Sequence, residues 1–148
     1  MAAAAAALLG TWALAACGGQ GVTKADVIAR GNAICTKSLR QIRAVQTPGG
    51  SAADLAGYLA QVAPIVQLEA KQIRALPRPA AQRSLLQRYV EAVTSDASTY
   101  QALAAAAHSG NDGAVAQGLA QLRASPSASL AAQYGLTQCA APGSTAVS

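Results

Sequence analysis

Four stretches of this chain carry apolar residues at three- and four-residue intervals, and short runs rich in Pro, Gly, Ser and Asn separate them. That spacing lines one face of an α-helix. The first stretch, Ala25 to Gln46, places Val27, Ile28, Ile34, Cys35, Leu39, Ile42 and Val45 on one arc. Thr23 and Asp26 stand at capping-box spacing before it. "TPGGS" (Thr47 to Ser51) ends it. The second stretch, Ala52 to Leu76, starts from Ser51 with Asp54 three residues on, and stacks Leu55, Leu59, Val62, Val66, Ile73 and Leu76. Pro64 within it predicts a kink. After "PRP" (Pro77 to Pro79), Ala80 to His108 sets Leu86, Tyr89, Val90, Val93, Tyr100 and Leu103 inward. "SGNDG" then leads to Ala114 to Tyr134, with Val115, Leu119, Leu122 and Leu130, a break near Pro126 and a closing Gly135. No alternating β-branched run suggests a strand. The expectation is an all-α, antiparallel four-helix bundle over residues 24–139, followed by a loose tail over 140–148.

Composition agrees. The chain has 148 residues, enough for one domain, and it is 52% hydrophobic but only 3% aromatic, with no Phe. Much of the apolar content is alanine, a strong helix former and a weak core filler. The helices should therefore approach closely through small side chains. The formal charge is +5. No Lys/Arg cluster interleaved with aromatics occurs, so nucleic acid is not an expected partner.

The amino terminus stands apart from this pattern. Residues 1–16 form an uncharged Ala/Leu-rich run, too short to span a bilayer but of secretory signal length. It ends in Leu14-Ala15-Ala16-Cys17. This resembles the lipobox of bacterial lipoproteins, in which Leu and two small residues direct diacylglyceryl attachment to Cys and cleavage just before it. The resemblance implies a signal peptide over 1–16, a lipidated Cys17, and a Gly-rich tether over 17–23. The first basic residue is Lys24, so the positive start of such a signal is expected upstream of Met1 or lost from the chain.

With Cys17 assigned to lipid, Cys35 and Cys139 remain. An even pair in an exported domain reads as a disulfide, the alternative being two buried free thiols. "GNAIC", "LPRPA" and "YGLTQC" extend the resemblance over about Ala25 to Cys139, to small Ala-rich bacterial lipoproteins of unknown function. That likeness implies the Cys35–Cys139 pairing and no activity.

Chemistry-bearing residues are few. Glu69 lies on the apolar arc between Val66 and Ile73, and Asp96 lies between Val93 and Tyr100. A charged group there is costly unless paired. The two acids suggest a polar site inside the bundle for a ligand or cation, with Tyr89, Tyr100 or His108 nearby. The alternative is that each meets an Arg, a Tyr hydroxyl or a backbone group. Di-iron bundles use Glu-x-x-His pairs. Here Gln72 follows Glu69 and Thr94 follows Glu91 at that spacing. His108 is the only histidine, and no CxxC or HxxxH spacing exists, so neither a metal nor another cofactor is expected. No nucleophile–base–acid set points to an enzyme. On the first helix, Arg30, Lys37, Arg40 and Arg43 lie opposite the apolar arc and form a candidate membrane-facing surface. The functional expectation is an exported envelope lipoprotein, held to membrane lipid through Cys17 and facing away from the cytoplasm. It would act as a non-enzymatic interaction or binding module toward an unknown envelope partner. The alternative is a small-ligand or cation carrier using Glu69 and Asp96.

Overall fold

The computed structural model describes residues 21–141. The proposed signal segment, Cys17 and residues 142–148 lie outside the described residues. Five helices follow in order: α1 (Lys24–Ala44), α2 (Ala52–Arg74), α3 (Arg83–His108), α4 (Asp112–Arg123) and α5 (Ser127–Tyr134). The chain is an all-α bundle, with α4 and α5 together forming its fourth arm. The break falls at the expected Pro126, whose ring is incompatible with a continuous helix interior.

Local chemistry accounts for the ends. Thr23 and Asp26 form a complete capping box, as do Ser51 and Asp54. α3 starts at Arg83 rather than at Ala80, because Gln82 takes a left-handed φ of 55° and stops the helix from extending backward. α2 runs unbroken through Pro64. Pro64 and Ala60 are both exposed, so the carbonyl that loses its intrahelical donor reaches water. Gly135, at φ 103°, ends α5. Leu136 N–H donates to Ala131 O at 2.9 Å, as in a Schellman closure.

α2 lies between α1 and α3, and α3 packs on α2, α4 and α5. The predicted stripes face inward. Val27, Cys35, Leu39 and Ile42 are buried from α1; Leu59, Val62, Val66 and Ile73 from α2; Leu86, Tyr89, Val90, Val93, Tyr100 and Leu103 from α3. Val115, Leu122 and Leu130 are buried from the last arm. Small residues permit the close approach: a β-carbon on Gly118 would come within 2.8 Å of Leu103. With no Phe in the chain, three tyrosines, Tyr89, Tyr100 and Tyr134, are the largest fully buried side chains.

The segment after α5 closes the bundle against α1. Leu136 is fully buried over Gly31, Gln138 N–H donates to Asn32 Oδ1 at 3.0 Å, and Cys139 is disulfide-bonded to Cys35 with Cα atoms 5.1 Å apart. A link across a sequence separation of 104 residues restricts the unfolded chain by about 4–5 kcal/mol on a chain-entropy account. Ala140 and Ala141, placed in the predicted loose tail, are half-buried, and Ala140 N–H bonds Leu136 O.

Candidate functional site

Both acids singled out on the apolar stripes are buried. Glu69 on α2 is 4% exposed and Asp96 on α3 is 5% exposed. Neither meets an Arg or Lys among the described residues. One polar layer joins them: Tyr89 and Tyr100 lie seven and four residues from Asp96 on the buried face of α3, and Tyr89 Oη stands 4.0 Å from the Cys35 sulfur that Glu69 meets at 3.5 Å. Burial holds the Tyr89 and Tyr100 hydroxyls above the usual phenol range; the charges of Glu69 and Asp96 push Tyr89 further up, and Tyr58, then Asp96 and Glu69, push Tyr100 further up.

The two ends of the layer differ. Glu69 faces α1 and the disulfide. Its Oε1 lies 3.5 Å from Cys35 Sγ, and the Ser38 hydroxyl hydrogen-bonds its carboxyl. Burial raises the Glu69 pKa to about 7, with Ser38 opposing the rise. A disulfide sulfur carries no proton, so in this pair only the acid form of Glu69 can donate. Tyr89 Oη stands 4.0 Å from the same sulfur.

Asp96 faces the corner between α4 and α5. Ser125 Oγ donates to its Oδ2 at 2.8 Å, and the Ser127 hydroxyl also bonds the carboxyl. Burial still holds Asp96 above the ordinary carboxylate range. Ser127 N–H in turn donates to Ser125 Oγ at 3.2 Å. Pro126 leaves α5 without a side-chain N-cap of its own, and this serine pair ties the corner to α3 instead. Asp96 also lines an open groove of about 810 Å³, between α3 and the α4–α5 arm, with Arg88, Glu91, Thr99, Gln121 and Leu130.

The other candidate residues lie elsewhere. His108 is exposed at the end of α3, about 18 Å along the axis from Asp96, so it is no part of the polar layer. Arg30, Lys37, Arg40 and Arg43 are all exposed on α1, as their register predicts. Among the described residues, no group of three or more His, Cys, Asp or Glu gathers as a metal site. No described helix is long and apolar enough to cross a membrane.

Sequence reasoning missed Ser38, Ser125 and Ser127. Ser38 carried a faint signal, being a polar residue three positions after Cys35 on the same face. The other two read only as part of a helix break. No family model matches the chain, and no significant similarity to a curated protein or a solved structure was found.

Proposed function

We propose that this chain is an exported bacterial lipoprotein, anchored through a diacylglyceryl group on Cys17. It acts in the cell envelope as a non-enzymatic interaction or binding module. The carrying observation is Leu14-Ala15-Ala16-Cys17 at the end of an apolar run. The Cys35–Cys139 disulfide supports it, since such bonds persist in oxidising compartments outside the cytoplasm. Six residues, Gly18 to Thr23, separate Cys17 from α1, a reach of at most about 25 Å. The tether lets the exposed Arg30, Lys37, Arg40 and Arg43 reach the lipid surface, and each basic group that lies against it contributes about 1 kcal/mol. Metabolic labelling with an alkyne palmitate tests the anchor. Label on the wild type that disappears in Cys17→Ala is expected; an unlabelled wild type, or label that persists, overturns the reading.

The groove beside Asp96 favours a second reading, a small-ligand carrier. Glu69 does not line that groove, so the carrier site narrows to Asp96 and its surroundings. A ligand that raises the melting temperature of the wild type and not of Asp96→Asn is expected on this reading. Equal shifts in both proteins count against it.

A further inference from the structure

We infer that Cys35–Cys139 is a proton-coupled thiol–disulfide couple, in which Glu69 passes its proton to Cys35 Sγ when a dithiol opens the bond from Cys139. The inference rests on the disulfide and its surroundings, and stands or falls independently of lipid attachment.

Each sulfur already faces an acceptor suited to a thiol. Cys35 Sγ is 3.5 Å from Glu69 Oε1, and Cys139 Sγ is 3.6 Å from Gly31 O. Neither sulfur can donate while oxidised, because neither carries hydrogen. On reduction the two sulfurs must move out of bonding distance, and a side-chain rotation at each cysteine leaves its S–H an acceptor close by. Glu69 is buried with no cation beside it among the described residues, so the acid form is the one the oxidised core tolerates. A proton is therefore stored at the sulfur that must leave.

The fold also selects the sulfur that is attacked. Cys35 lies in mid-α1 and is fully buried. Cys139 is also buried in the closed state, at 3% exposure, but it lies beyond the last helix, between exposed Gln138 and half-buried Ala140. The Gln138–Asn32 bond and the Cys139 and Ala140 N–H groups on Leu136 O are among the contacts that hold its turn. Opening this short segment uncovers Cys139 and leaves α1 in place.

In the first step, a thiolate of an external dithiol attacks Cys139 Sγ and forms a mixed disulfide. The Cys35–Cys139 bond breaks, its electron pair goes to Cys35 Sγ, and that sulfur takes the Glu69 proton. In the second step, the other thiol of the reductant loses its proton to water and attacks the mixed disulfide. The reductant leaves as its own disulfide, and Cys139 leaves as a thiolate that takes a proton from water. Two electrons have passed to the protein. Cys35 S–H then donates to an ionised Glu69, which favours the charged carboxyl. Cys35 and Ser38 from α1 contact this carboxyl, Tyr89 from α3 stands at the same sulfur, and the charge of Glu69 reaches Tyr100, as does that of Asp96, the other buried acid.

The test is the midpoint potential of the full chain carrying Cys17→Ser, equilibrated with oxidised and reduced dithiothreitol between about pH 5 and pH 8, below the ordinary thiol pKa. Uptake of two protons with two electrons makes the potential fall with one constant slope. Release of the Glu69 proton on reduction leaves one net proton and half that slope. The half-slope is expected to end near pH 7, where oxidised Glu69 titrates. It should become full in Glu69→Gln and persist in Asp96→Asn. A full slope throughout the Cys17→Ser chain, or a break that survives Glu69→Gln, overturns the inference. Loss of helical circular dichroism on reduction overturns it as well, because the thiol acceptors then vanish. Should Glu69→Gln fail to fold, the carboxyl carbon resonance of Glu69 decides. Its titration moves to lower pH on reduction, and identical titrations in the two states overturn the inference.

Discussion

Leu136 occupies the notch that Gly31 leaves on α1: a β-carbon on residue 31 would collide with its Cδ2. Leu136 is itself fully buried, so it has little room to turn away. Alanine would gain about 1 kcal/mol of helix propensity at this position. Overpacking costs about 1–3 kcal/mol and outweighs it. Gly31→Ala should therefore lose up to about 2 kcal/mol in urea unfolding. Gly57 in α2 is exposed with open space around it, and Gly57→Ala should gain about 0.5–1 kcal/mol. A stabilised Gly31→Ala would show that the closing segment yields at that contact.

Glu69 makes stability depend on pH in a direction opposite to the usual carboxylate. Its folded pKa, about 7, lies above the ordinary glutamate value of 4.5, so between these values the native state binds the extra proton. Stability then falls as pH rises through that window and levels off above it. The difference corresponds to about 3 kcal/mol. Glu69→Gln should match the wild type at about pH 4.5 and exceed it by up to about 3 kcal/mol at pH 8. Chemical denaturation across the window checks this. A wild type that gains stability between the two values would contradict the burial of an unpaired acid.

Asp96 and Ser125 should be energetically coupled. Removing the hydroxyl in Ser125→Ala leaves a buried carboxyl with Ser127 as its remaining side-chain donor, at a cost of about 1–2 kcal/mol. A double-mutant cycle with Asp96→Asn should give a coupling of at least about 0.5 kcal/mol. Additive effects would mean that the α4–α5 corner is held by packing alone.

Tyr134 is fully buried, and its hydroxyl lacks a hydrogen-bond partner among the described residues. The ring still carries Lys24 Nζ at 5.0 Å from its centroid. Tyr134→Phe keeps the ring and removes an unsatisfied polar atom. It should raise stability by about 1 kcal/mol, read as a higher melting temperature. A loss of stability would reveal a partner for that hydroxyl.

Legibility followed periodicity. Val27, Leu59, Tyr89 and Leu103 could be placed inside from their spacing alone, because a helix of known register turns a known face inward. For the same reason Glu69 and Asp96 were legible as buried acids. Their partners were not. The contacts of Glu69 with Ser38 and Cys35 join α1 to α2, and the Asp96–Ser125 bond joins α3 to the break after α4. No spacing within one helix contains such a pairing. The same α3 register that buries Tyr89 and Tyr100 carries His108 to the exposed end of the helix, away from Asp96.

By itself, the sequence determined the helices, their caps at Thr23 and Ser51, the break at Pro126 and the inward faces, because each depends on residues only a few positions apart. Only the tertiary structure decided that Leu136 and Cys139 return to Gly31 and Cys35, and that a buried carboxyl stands against that sulfur. Those relationships join residues far apart in sequence, and side-chain shape selects them only once the helices have packed.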